Sequence, residues 1–304
     1  MSSETRVAQA GAWRVYAMLA LVMLFWAGNS IIARALHEEV PPFTLALMRW
    51  AGALALVAPF AWRHVMADWA AAKRSWGAIL LLGVLGVSLF NALLYSGLAH
   101  TTATNALLIQ AGIPALVLAF GFLLFRDRPS AAQIAGVSLA ALGVLAIIFK
   151  GDRAALASLR FGIGDVLIFA AVAAWALYTV LLRIAPKLNP LSFLAITFAI
   201  GVITMAPPAA LELRTHEVAL TPAVWGAGLY VALLPSLAAY WLYNQAVAEI
   251  GAADAGQTIA LLPLFGAFLA ALTLREPLYG YHWIGMALIA AGIALPALLK
   301  PRSP

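Results

Sequence analysis

Two pairs of polar side chains stand inside long apolar stretches at a spacing that puts each pair on one helix face: Asn91 with Tyr95, and Tyr240 with Asn244. The second pair repeats the first in reversed order. Trp26 and Asn29 are matched in the same way by Trp175 and Tyr178. Together these residues offer aromatic faces to the apolar body of a small molecule and amide or hydroxyl groups to its polar end. The same side chains could instead bond neighbouring helices or sit in an interfacial belt, each contact then contributing about 0.6 kcal/mol.

Arg49 is the only strongly charged residue well inside an apolar stretch, roughly 10 Å along a helix from Pro42. A charge at that depth is costly and points to a role such as pairing a substrate carboxylate. The other reading has its long side chain reaching to the interface or to helix-end carbonyls. Gln110 and Gln257, close to Pro114 and Pro263, complete the candidate binding set. Each proline frees a backbone carbonyl, which suits either a gate or a static kink.

Other chemistries are missing. There is no cysteine, so no disulfide, thiolate metal site or Cys nucleophile. The twelve carboxylates and five histidines lie at helix ends, in links or in the N-terminal tail, which leaves no obvious carrier for a buried proton relay and favours facilitated diffusion or exchange. No metal or cofactor motif is present, and no His-Glu-x-x-His, Walker A or Ser/His/Asp set. Gly162-Ile163-Gly164-Asp165 matches the Gly-x-Gly-Asp pattern of intramembrane aspartyl proteases, but that chemistry needs a second carboxylate at the same depth. Asp165 reads instead as a helix N-terminal cap. A channel would need a more continuous polar lining. The net charge of +6 comes from basic residues set singly between apolar blocks, with no basic run to bind nucleic acid.

The elements that must hold these residues are membrane helices. Of 304 residues, 64% are hydrophobic and 10% charged, against about 25% charged in a soluble domain; the mean hydropathy is +0.97. Apolar runs of about 20 residues are long enough to span a bilayer, and ten are expected, over 15–36, 43–62, 76–98, 103–125, 131–149, 164–184, 191–211, 222–247, 252–274 and 281–299. The first is longer than a signal-peptide core and has a duplicate further on, so it counts as a helix.

That duplicate belongs to a larger pattern. An ungapped shift of 149 residues carries Trp26 onto Trp175, Arg34 onto Arg183, Gly52 onto Gly201, Pro59 onto Pro208, Trp76 onto Trp225, Gly77 onto Gly226, Pro114 onto Pro263, Arg126 onto Arg275, Gly136 onto Gly285 and Gly143 onto Gly292. Residues 1–160 and 161–304 therefore read as two repeats. Five helices is an odd number, so the second copy enters the membrane inverted and the interface between copies is the place to look for a substrate. Eleven Lys and Arg on one side against six on the other put both termini in the cytoplasm.

Each half also resembles a known family. Phe25-Trp26-Ala27-Gly28-Asn29-Ser30 and Ala174-Trp175-Ala176-Leu177-Tyr178-Thr179 open the halves, followed by Ile113-Pro114 and Leu262-Pro263, then Asp127 and Glu276, then Gly-x6-Gly at Gly136/Gly143 and Gly285/Gly292. This order is similar to the ten-helix EamA-type branch of the drug/metabolite transporter superfamily. The resemblance implies an all-α membrane protein of two inverted five-helix repeats around a central cavity. It further implies an exporter of hydrophobic or aromatic amino acids or related metabolites through the inner membrane, the alternative being a carrier of drug-like organic cations. The partners so implied are a small-molecule substrate and the lipid bilayer, and a monomer suffices for the fold.

Overall fold

The protein, described by a computed structural model over residues 3–36, 38–101, 106, 109–149, 162–274 and 279–299, is helical nearly throughout and has no strand among these residues. The helices are α1 (Ser3–Ala35), α2 (Pro42–Arg74), α3 (Trp76–His100), α4 (Ile113–Phe125), α5 (Ala131–Ile148), α6 (Ile163–Leu181), α7 (Pro190–Glu212), α8 (Pro222–Ile250), α9 (residues 252–274) and α10 (Gly280–Leu299). Their starts follow local chemistry. Pro42, Pro190 and Pro222 open helices at the position where a missing N–H costs nothing. Ser130 and Gln133 cap α5 reciprocally at 3.2 and 3.0 Å. The Asp165 carboxylate accepts the Gly162 N–H at 2.7 Å, the capping role its position suggested.

Among the described residues, six stretches are long and apolar enough to cross a membrane: Trp13–Ala33, Pro42–Arg74, Trp76–His100, Ile163–Ile184, Pro190–Glu212 and Pro222–Ile250. The polarity is that of a multi-pass membrane protein. Phe60, Trp62, Ile203 and Leu298 are exposed, whereas Arg49, Asn91, Thr179 and Ser236 are buried.

Three expectations need correction. Helix α2 runs on to Arg74 instead of ending at residue 62, because Ala72 packs with Ile79, Ile196 and Ile200 and Asp68 accepts the Asn189 N–H at 2.8 Å. Helices α3 and α8 are not uniform: each passes through a π-helical segment, Gly83–Leu89 and Leu233–Ala238, at nearly the same repeat position. Finally, neither Pro114 nor Pro263 stands mid-helix. A turn at Ala111-Gly112 precedes α4, and a 3-10 stretch at Thr258–Leu261 interrupts α9. Each proline is thus the second residue of a fresh helical segment, where it breaks no hydrogen bond.

Contacts between the halves are reciprocal. Helices α5 and α10 touch backbone to backbone: a Cβ on Gly136 would lie 2.5 Å from the Gly292 carbonyl, and one on Gly143 2.6 Å from that of Gly285. Under the 149-residue offset each of these contacts maps onto the other. Helices α2 and α7 run antiparallel, with the Glu212 carboxylate at the end of α7 accepting the Phe43 and Thr44 N–H groups of α2 at 3.0 and 2.7 Å.

Candidate functional site

Where α2 meets the π segments of α3 and α8, the Arg49 side chain is 2% exposed. Its Nε donates to Ser236 Oγ at 2.6 Å, Nη1 to Asn91 Oδ1 at 2.9 Å and Tyr95 Oη at 3.2 Å, and Nη2 to the Pro235 carbonyl at 3.0 Å. The guanidinium also lies 4.6 Å from the Trp50 ring centroid. All these partners are neutral, and no carboxylate pairs with Arg49 among the described residues. The side chain therefore neither snorkels outward nor caps a helix end.

The π segments supply part of this network. The Phe90 N–H donates to Leu85 O and the Ala239 N–H to Leu234 O, each passing over the acceptor an α-helix would use, Gly86 O and Pro235 O. These carbonyls occupy the same position in the two copies, and both are taken up from the opposite copy. Pro235 O accepts from Arg49 and, at 3.0 Å, from Trp26 Nε1. Gly86 O accepts from Tyr240 Oη at 2.5 Å.

Around this network lie aromatic rings. Trp26 and Trp175 meet edge to face at 4.9 Å; Phe90 is 4.9 Å and Tyr240 5.6 Å from Trp175. Phe198, the counterpart of Arg49, packs instead on Trp50 and Tyr240 at 5.2 and 6.1 Å. The polar contact Arg49–Asn91 in one copy is thus the apolar contact Phe198–Tyr240 in the other. A cavity of about 30 Å³, room for a water or two, is walled by Trp26, Asn29, Arg49, Gln110, Trp175 and Tyr240 among others.

The structure gathers most of the candidates but not all. Trp26, Asn29, Arg49, Gln110, Trp175 and Tyr240 wall the cavity; Asn91 and Tyr95 bond directly to Arg49. Tyr178 packs behind Trp175 at 5.1 Å and donates to Asn244 Oδ1 at 2.8 Å. Asn244 itself faces a separate cavity of about 450 Å³ near Arg183 and Trp241. Gln257 is used elsewhere, donating to Gly292 O at 2.6 Å and tying α9 to α10. Pro114 and Pro263 do not touch the cavity, although the residues before them, Ile113 and Leu262, line it. A concavity of about 940 Å³ on the apolar flank of α2 and α8 contains none of the candidates. Ser236, Ser30 and Phe90 escaped the sequence reading; the signal for Ser236 was its place in a Pro235-Ser236 step inside an apolar run.

Outside the centre, the Arg183 guanidinium pairs with Asp127 at 2.5 Å and lies 4.2 Å from the Phe125 ring. Asp165 accepts from Thr101 and Gly162 and Asp254 from Gln133. Glu276 and the 150–160 link lie outside the described residues.

A sequence model of the EamA-like transporter family matches this chain twice, over residues 13–149 and 162–297. The chain belongs to the EamA-like transporter family. It is accordingly a multi-pass membrane transporter of the drug/metabolite superfamily, not an enzyme. An uncharacterized transporter of Archaeoglobus fulgidus is 30% identical over 93% of this EamA chain and 96% of its own. The uncharacterized transporter YyaM of Bacillus subtilis is 29% identical over 70% of each chain. A probable terminal-alkyne amino-acid exporter of Streptantibioticus cattleyicolor is 26% identical over 71% of each. A crystal structure of another protein superposes with a TM-score of 0.73 at 19% identity, over 94% of this chain and 97% of that one, a likeness of fold.

Proposed function

We propose that this chain is a secondary transporter exporting hydrophobic or aromatic amino acids, or related small metabolites, across a bacterial inner membrane by alternating access. The observation that carries the reading is Arg49, a cation held at the centre of the protein without a carboxylate partner, on the wall of an aromatic cavity. A buried charge of this kind is costly until a counter-charge arrives, and a substrate carboxylate supplies one. The neighbouring rings suit an apolar side chain. The similarity to the probable amino-acid exporter of Streptantibioticus points the same way.

The architecture belonging to this reading is ten membrane-crossing helices in two inverted five-helix repeats, 1–160 and 161–304, around the central cavity. Its support is the reciprocity of the contacts: Gly136–Gly292 with Gly143–Gly285, Trp26 against its own counterpart Trp175, and Tyr95–Asn29 at 3.1 Å answered by Tyr178–Asn244. The Lys and Arg bias favours cytoplasmic termini. The small cavity corresponds to a closed centre, which the two repeats open to one side at a time; the proline-led starts of α4 and α9 are places where such tilting can occur. Exchange or facilitated diffusion is the coupling that fits the lack of deep carboxylates, and a monomer contains the whole site.

A second reading, efflux of flat organic cations on the aromatic rings, is favoured by the ring cluster alone; the Arg49 charge opposes it. Purified protein in proteoliposomes tests the assignment. Saturable counterflow of labelled hydrophobic amino acids is expected, and selective counterflow of organic cations would overturn it.

A further inference from the structure

We infer that the central site selects monoanionic carboxylates, organic acids with an apolar or aromatic body such as 2-oxo or 2-hydroxy acids, over zwitterions and cations. The inference rests on the transporter reading above and, within it, favours the related metabolites over the amino acids by counting charges, donors and acceptors at the cavity.

The donors are in surplus. Besides the Arg49 guanidinium, the indole N–H of Trp175, a residue 2% exposed, makes no well-formed hydrogen bond: its neighbour, the Tyr243 hydroxyl, is engaged with Thr179. The repeat explains why. In the first copy Trp26 Nε1 donates to Pro235 O. The equivalent acceptor for Trp175 is Gly86 O, which accepts from the Tyr240 hydroxyl and not from Trp175. Asn91, the counterpart of Tyr240, makes no such bond to Pro235 O and meets Arg49 instead. One substitution between copies thus leaves a donor unspent on the wall that Arg49 also borders. A buried N–H without an acceptor is costly and is met when a ligand brings an oxygen.

Anionic acceptors are missing. A zwitterionic amino acid brings an ammonium group that a carboxylate would best meet. Asn29 Oδ1, Pro235 O and Gly86 O each already hold a donor, which leaves the neutral Gln110 Oε1 and Ser30 Oγ on the wall. No carboxylate residue lines the cavity among the described residues. A site with one fixed positive charge, a spare N–H and no free anion matches a ligand of net charge −1, whose two carboxylate oxygens take both donors.

Three probes with one aromatic body and different heads decide the matter: phenylpyruvate, phenylalanine and phenethylamine, with other labelled amino acids and organic cations run in parallel in proteoliposomes. Phenylpyruvate is expected to show saturable counterflow at least about tenfold more efficient than phenylalanine, the worth of one charge-assisted hydrogen bond. Its net uniport is expected to be driven inward by an inside-positive potential. Preference for phenylalanine, or movement of other amino acids but not phenylpyruvate, overturns this inference while leaving the transporter assignment intact. Failure of every probe overturns both.

Trp175→Phe keeps the ring and removes the N–H; it is expected to weaken phenylpyruvate about tenfold relative to phenethylamine. Arg49→Gln is expected to abolish the preference for the anion and Arg49→Lys to retain it in part. An unchanged ratio between the heads in Trp175→Phe counts against the inference, since a purely structural role would weaken all three probes alike.

Discussion

The Tyr240 hydroxyl donates to the Gly86 carbonyl at 2.5 Å, closing across the two halves a bond that the π segment of α3 leaves open within its own helix. Tyr240→Phe strands that buried acceptor. A cost of up to about 1–3 kcal/mol is expected from the lost partner, reduced to the extent that the Trp175 N–H moves onto Gly86 O, as its counterpart Trp26 bonds Pro235 O. Thermal unfolding of detergent-purified protein reads the first effect. The second appears as weaker carboxylate binding in the variant.

Arg49 leaves a different signature. Three of its acceptors keep another bond: Ser236 donates to Val231 O and Tyr95 Oη to Asn29, while Pro235 O still accepts from Trp26; Asn91 Oδ1 alone loses its donor. Arg49→Met is therefore expected to change stability by no more than about 1–2 kcal/mol, the stranded oxygen being offset by removal of a desolvated cation. Transport should be lost. A variant that unfolds as readily as it stops transporting would assign Arg49 to the scaffold.

The glycines divide by what surrounds them. Gly292→Ala places a methyl within 2.6 Å of the Gly136 carbonyl and is expected to destabilise by about 1–3 kcal/mol through forced separation of α5 and α10. Gly226→Ala meets nothing within 4 Å and is expected to be neutral or stabilising by up to about 1 kcal/mol. Parallel melting curves of the two variants check the contrast.

Tyr178 and Asn244 are coupled through one bond of 2.8 Å. In a double-mutant cycle, Tyr178→Phe with Asn244→Ala is expected to cost less than the two single changes added, by about 0.6–1.7 kcal/mol. Additive costs would remove the bond from the account of how α6 holds α8.

Much of this arrangement was legible in the residues. The offset of 149 pairs Trp26 with Trp175, Gly136 with Gly285 and Gly143 with Gly292, and these residues sit at contacts between the halves. The four-residue spacing of Asn91 and Tyr95 put both on the face that meets Arg49. Other features were hidden for physical reasons. A π turn shifts the backbone register without any demanding residue type, so Gly83–Leu89 reads as ordinary helix. A proline marks a weak point in a helix but not on which side the helix restarts, and hence Pro114 and Pro263 looked internal. Asn244 and Gln257 stand apart from the small cavity, since a buried amide bonds whichever neighbour is near and periodicity cannot tell a cavity wall from a helix seam. The exchange of Asn29/Tyr95 for Tyr178/Asn244 looked like altered ligand chemistry; it preserves one hydrogen bond in each half.

The touching backbones of α5 and α10 carry a geometric consequence. With carbonyl oxygens where a methyl group would have to fit, at Gly136–Gly292 and again at Gly143–Gly285, this seam leaves no room for a solute. In the proposed transport cycle any passage must therefore open elsewhere, as at the cavity that Arg49 walls.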